Sequence, residues 1–215
     1  MDIGLFGGTF NPFHNGHIGI IKHVRQVFGL EKIFLIPSKI PPHKPGINLA
    51  PADQRFKMVQ KSLENENGLF VSDKELIRTG PSFTIDTITE FQSECGSEVR
   101  LFFILGSDAF FDIDTWKEKD RILEAVPIII MLRGEKDTLL SLTSFIDENI
   151  SKRYIYDQAI NAFVHEKRQC IYICKVPKID ISSTMIRKRI QQKKPVTGLV
   201  PEPVEAIIKQ EELYQ

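Results

Sequence analysis

Cysteine, net charge and long apolar runs are all scarce in this chain, and each scarcity removes a class of function. The 215 residues hold three cysteines, Cys95, Cys170 and Cys174. An odd number at no framework spacing excludes a disulfide-stapled scaffold and suits a reducing compartment, so a cytoplasmic location is expected. Cys170 and Cys174 share one face of an expected strand with no His or Cys cluster beside them. They read as core thiols, and no metal site built from protein ligands is expected. The 28 basic residues balance 28 acidic ones, so no overall field draws the chain to nucleic acid or to a membrane surface. The longest apolar runs, 101–105 and 127–132, fall far below the roughly 20 residues of a membrane-spanning helix. No basic segment followed by a long apolar stretch opens the chain, so no signal peptide is expected.

What is present is an alternation of strand-like and helix-like runs without internal repeats. Strands are expected over 3–6, 32–37, 69–72, 100–105, 127–132 and 170–176. Helices are expected over 15–28, 52–63, 84–95, 183–192 and 202–211. In the first helix Ile18, Ile21, Val24 and Phe28 form a helical apolar stripe, Asn15 is the expected N-cap and Gly29 the stop. The runs at 100–105 and 127–132 are apolar throughout, as strands are when both sheet faces are covered. The fold class predicted is therefore α/β: a Rossmann-like, doubly wound, mostly parallel sheet with helices on both faces. The length suits a single domain over 1–215, with 134–170 as a peripheral insertion and 182–215 as a C-terminal helical part.

The polar motifs fall where such sheets bind ligands, beyond the C-terminal strand ends. Gly7–Gly8 close the first strand, and His14 and His17 follow where a helix begins. Paired glycines let a backbone approach a bulky anion, a helix N-terminus favours phosphate, and histidine adds donors that can turn cationic. The plainer alternative for the histidines is helix capping. Pro41-Pro42-His43-Lys44 is a stiffened loop after the second strand, or simply a solvated one. Gly80-Pro81-Ser82-Phe83-Thr84 opens a helix. There Ser82 and Thr84 are either caps or donors to a ligand. Gly106-Ser107-Asp108 ends the most apolar strand, where Asp108 can accept from ribose hydroxyls. Trp116, the single tryptophan, is a stacking platform for an aromatic base or a core residue. Ile181-Ser182-Ser183-Thr184-Met185-Ile186-Arg187 has the makings of a phosphate cup, with hydroxyls at a helix start and a forked cation one turn in, or of an ordinary capped helix.

GGTFNPFHNGH, PPHK, GPSFTIDT, ILGSD with the later Trp116, and ISSTMIR occur here in the order found in bacterial nicotinate-nucleotide adenylyltransferases. The chain resembles that family from residue 1 to about 132 and again from about 175 to the end; HNGH with ISSTMIR marks the wider nucleotidyltransferase superfamily. The resemblance implies adenylyl transfer from ATP to nicotinate mononucleotide, with Mg²⁺ delivered by ATP. It implies catalytic roles for His14, His17, Lys44 and Arg187. ATP contacts would come from Gly7, Gly8, Thr9 and Phe10, from both histidines, from Gly106 and Asp108, and from Ser182, Ser183, Thr184 and Arg187. The mononucleotide would meet His43, Lys44, Ser82, Phe83, Thr84, Asp108 and Trp116. Asn11 stands where the family usually has Asp, Phe83 where Tyr is frequent, and Ser107 in place of a common small residue. Nicotinamide mononucleotide or phosphopantetheine as acceptor, and a non-catalytic nucleotide-binding regulator, are the competing readings. No nucleic acid or membrane partner is expected, and an oligomer is compatible with the sequence.

Overall fold

The structure, a computed structural model, describes residues 1–41, 49–96, 98–132 and 138–215. Its sheet is built on β1 (Asp2–Gly8), β2 (Lys32–Pro37), β3 (Leu69–Val71), β4 (Arg100–Gly106), β5 (Ile128–Leu132), β6 (Ile155–Asp157), β7 (Ala162–Val164) and β8 (Ile171–Lys175). Spatial order is β3-β2-β1-β4-β5-β8-β7-β6. The first six strands in that order pair in parallel, and β7 and β6 close one edge as an antiparallel hairpin. The chain moves outward from β1 to β3, then returns to place β4 on the other side of β1. That reversal opens a crevice at the C-terminal ends of β1 and β4.

Alternation along the central strands explains why they read as unbroken apolar runs. Leu101, Phe103, Leu105, Ile128 and Ile130 enter a core on one face, together with Ile3 and Leu5 of β1. Phe102, Ile104, Ile129 and Met131 enter the core on the opposite face, with Phe6. The second core is covered by α1 (Asn15–Phe28), through Ile20, Ile21 and Val24, and by α2 (Ala52–Leu63), through Val59 and Leu63. The first is covered by α4 (Thr84–Glu94), α6 (Lys119–Ala125) and α7 (Leu139–Asn149), after the short α3 (Lys74–Ile77) and α5 (Ser107–Phe111). Within 134–170, Leu142 and Ile146 of α7 and Phe163 of β7 are fully buried and belong to this same core. The helices α8 (Ser183–Gln191) and α9 (Glu202–Gln210) form a third cluster around Met58 of α2, with Ile186, Val204 and Ile208 inside it. Among the described residues no helix is long and apolar enough to cross a membrane. The three cysteines are unpaired, and burial pushes the Cys174 thiol up to about 11.

Candidate active site

The crevice at the strand ends is a cavity of about 420 Å³. Its floor is Gly7 and Gly8 of β1 with Gly106 of β4. One wall is the turn Thr9-Phe10-Asn11 with His17, joined by Ser183, Thr184 and Arg187. The remaining wall carries Glu75, Ser82, Thr84, Asp108, Asp112 and Trp116. A concave site at the point where strand order reverses is the expected ligand position in such a sheet.

The turn after β1 is shaped by its aromatic rings. A Cβ on Gly8 would lie 2.6 Å from Cζ of Phe10, so only glycine lets the chain pass over that ring. Phe10 adopts φ 47°, a left-handed conformation uncommon for a bulky residue. Its buried ring meets Phe13 and His17 edge-on, and Phe13 stacks on the other side of His17. The main-chain N–H of His14 donates to Nδ1 of His17 at 3.2 Å. An accepting Nδ1 is unprotonated, so the neutral His17 ring carries its proton on Nε2. The His14 ring lies behind, stacked on His17 with centroids 3.6 Å apart, and is buried away from the cavity lining.

His14, in extended conformation, is the N-cap of α1, which corrects the expectation that Asn15 caps this helix. Asn15 is the first helical residue, and its side-chain amide instead donates to the Gly198 carbonyl at 2.9 Å, tying the helix start to the C-terminal region. Gly16 between the histidines has a steric reason: a Cβ there would sit 3.0 Å from Nδ1 of His14.

The rest of this wall comes from the far end of the chain. Ser182 caps α8, accepting from the Met185 N–H at 3.1 Å, and does not line the cavity. Ser183 Oγ donates to the Pro12 carbonyl at 2.9 Å. Arg187 donates through Nη1 to the Asn11 carbonyl at 2.7 Å and through Nη2 to Thr184 Oγ1 at 3.3 Å. The α8 start is thereby bolted to the turn after β1. Asn11 Oδ1 accepts from the Ala50 N–H at 3.0 Å, a task Asn performs with the same oxygen an Asp would offer.

On the remaining wall Ser82 Oγ accepts from the Lys39 N–H at 2.9 Å. Thr84 opens α4, and Phe83, its N-cap, packs under the Lys117 ammonium instead of lining the cavity. Trp116 is half-buried and meets Phe103 at a near right angle with centroids 6.0 Å apart. His43 and Lys44 lie outside the described residues.

Among the residues that escaped the sequence reading, two are buried and ionisable. Arg55 is 1 % exposed and donates to four carbonyls: Ala50 at 2.9 Å, Thr9 and Ser38 at 2.7 Å each, and Lys39 at 3.2 Å. Burial pushes its pKa down, opposed by Tyr214 and Asp53. The signal was a cation on the buried stripe of α2, with Met58, Val59 and Leu63. Glu75 of α3 is buried against Thr87, and burial raises its pKa above the usual carboxylate range.

This fold and crevice define a nucleotidyltransferase-type α/β protein, and residues 5–189 match the family described as cytidylyltransferase-like. A protein of Desulfatibacillum aliphaticivorans named "probable nicotinate-nucleotide adenylyltransferase" is 38% identical over 219 residues, covering 100% of both chains. One of the same name from Geobacter sp. (strain M21) is 36% identical over 214 residues, covering 100% of this chain and 98% of its own. The chain belongs to the nicotinate-nucleotide adenylyltransferase family. Its fold is that of the Plasmodium falciparum nicotinic acid mononucleotide adenylyltransferase solved with NaAD, at TM-score 0.74 and 20% identity, over 99% of this chain and 97% of that one.

Proposed function

We propose that this chain transfers the adenylyl group of ATP to nicotinate mononucleotide, giving nicotinic acid adenine dinucleotide and pyrophosphate in NAD biosynthesis. The observation that carries the reading is that His17, whose neutral ring has its proton on Nε2, and Arg187, bonded to the turn before it, line one crevice at the strand-order reversal.

The mononucleotide's 5′-phosphate is already an anionic nucleophile, so no general base is needed. One of its oxygens bonds to the α-phosphorus of ATP as the bond from that phosphorus to the bridging oxygen breaks, and pyrophosphate leaves with the electron pair. Catalysis then consists of holding two anions in line and neutralising charge as it shifts to the leaving group. His17 and Arg187 supply donors for that charge, with Ser183, Thr184 and the N-terminal N–H groups of α1 and α8 beside them. His14 holds the His17 ring from behind. Lys44 and His43 are assigned to the same phosphates, and Asp108 to a ribose. The pyridine is assigned to the wall of Thr84 and Trp116.

Among the described residues no three His, Cys, Asp or Glu side chains gather to hold a metal ion. Mg²⁺ would come bound to ATP and would offset negative charge on the triphosphate. The cytoplasm is the proposed location, consistent with three unpaired cysteines. Pyrophosphate release with Mg²⁺ and ATP, measured against nicotinate and nicotinamide mononucleotides, tests the reading. Strong preference for the acid is expected. Equal use would discard the acid selectivity, and no release with either would discard adenylyl transfer to a pyridine mononucleotide.

A further inference from the structure

Among the described residues Glu75 is the only buried acid, and it lines the cavity without a part in the charge neutralisation above. Its Oε1 accepts from Thr87 Oγ1 at 2.7 Å. Thr87 sits in the first turn of α4 and is 3 % exposed. The same hydroxyl receives Nη2 of Arg78 at 2.9 Å, and Arg78 also donates to the Phe83 carbonyl at 3.5 Å and to Glu90 at 2.8 Å. Lys39, just beyond β2, donates through Nζ to the Arg78 carbonyl at 3.2 Å and through its main-chain N–H to Ser82 Oγ. These bonds converge on one short segment, Ser82 to Thr87, from α3 on one side and from the end of β2 on the other.

We propose that Glu75 is a positioning residue for the mononucleotide: through Thr87 it locks the first turn of α4 so that Thr84 and the turn's N–H groups face the cavity beside Trp116. The geometry favours this over a role in general stability. Glu75 and Thr87 brace the pyridine wall alone, whereas the ATP-side wall of His17, Ser183, Thr184 and Arg187 is held by separate bonds to Asn11 and Pro12. A buried carboxyl has a desolvation cost that an apolar residue would avoid, and its position against the first turn of a substrate-facing helix gives a reason to retain it. The N-cap of α4, Phe83, makes no side-chain capping bond, so the helix start is held by these contacts from α3 and β2 instead.

This inference rests on the proposed reaction, and the two are separable because wild-type turnover tests the reaction while the variants test Glu75. Steady-state kinetics of purified Glu75→Ala, Glu75→Gln and Thr87→Val should be compared with wild type for both substrates. Losing the brace should raise KM for nicotinate mononucleotide about tenfold, the size of one buried hydrogen bond, with KM for ATP and kcat within about twofold. Thr87→Val should raise the same KM as Glu75→Ala, and the double variant should fall clearly short of the sum of the two, because the two residues share one bond. Glu75→Gln keeps an accepting oxygen and should recover most of the mononucleotide KM. Equal rises in KM for both substrates, unchanged KM in Thr87→Val, or additive losses in the double variant would overturn the assignment. If Glu75→Ala fails to fold, Thr87→Val against Glu75→Gln decides the question.

Discussion

His14 and His17 are joined through both main chain and rings. The main-chain N–H of one donates to Nδ1 of the other at 3.2 Å, and their rings stack with centroids 3.6 Å apart. The first contact fixes which nitrogen of His17 bears the proton, and the second, with Phe13 on the opposite face, fixes the plane of the ring. A donor held this way costs no reorganisation when charge develops on a phosphate. His17→Ala should therefore lower kcat by about 10²–10³-fold, the usual loss for one such donor, while KM for ATP changes only a few-fold. Initial-rate kinetics decide it. Equal changes in both parameters would mean that His17 binds ground state and transition state alike.

Arg55 gives a stability prediction of a different kind. Its planar fork reaches carbonyls of the turn after β1, the end of β2 and the residue before Pro51, which no ammonium can match at once. Arg55→Lys keeps the charge and strands buried carbonyls, so it should cost about 2–3 kcal/mol in urea unfolding. Turnover should also fall, because Thr9 and Ser38 border the crevice. A variant as stable as wild type would show that those carbonyls find other partners.

How much of this was legible in the sequence follows from where each residue's partners lie. The helices at 15–28 and 52–63 and the strand at 32–37 were read to the residue, because apolar periodicity and flanking Gly or Pro carry that information locally. The elements α3, α5 and α6 have seven residues or fewer, too short for an apolar stripe to recur often enough to be read. The hairpin of β6 and β7 has three residues per strand and gains its apolar contacts from β8 and the core. In the site, the glycine turn and the two helix starts announced themselves by local chemistry. Arg55 and Glu75 did not, since what they do is set by Thr9, Ser38 and Thr87, which are distant in the chain. Asn15 as N-cap was misread for a related reason: Gly198, which takes its side chain, lies near the other end of the sequence.

The burial of Glu75 links stability to pH. Burial is the largest cause of its raised pKa, with hydrogen bonds from Thr87 and Ser82 and the charge of Arg78 working against it. A carboxyl whose folded pKa exceeds its unfolded value binds more protons in the native state across that window. Its contribution is full below the unfolded pKa and is lost as pH rises through the folded one. Glu75→Gln does not titrate. The stability of wild type relative to Glu75→Gln should therefore decline as pH is raised from the ordinary glutamate range upward, then level off. Urea unfolding of both proteins across a pH series measures it. A relative stability that rises with pH would mean that the ionised form is the one the fold prefers.

Trp116 separates the two substrates most cleanly. It follows a 3₁₀ turn over Ile113–Thr115, its N–H donates to the Ile113 carbonyl at 3.0 Å, and its ring is set against Phe103 of β4. Those contacts hold a large aromatic on the cavity wall, and the next residue, Lys117, ties it to the start of α4 by pairing with Asp86 at 3.0 Å and covering the Phe83 ring, so a stacked pyridine is its fitting partner. Trp116→Ala should raise KM for nicotinate mononucleotide about tenfold, since an aromatic pair contributes up to ~1.5 kcal/mol beyond area burial, with KM for ATP within about twofold. Trp116→Phe keeps a smaller ring and should fall between the two. Because the ring also packs on Phe103, some loss of thermal stability should accompany the alanine variant, and it would lower kcat and both KM terms together if it were the whole effect. An increase confined to ATP would put this ring in the adenine subsite and exchange the assignment of the two walls.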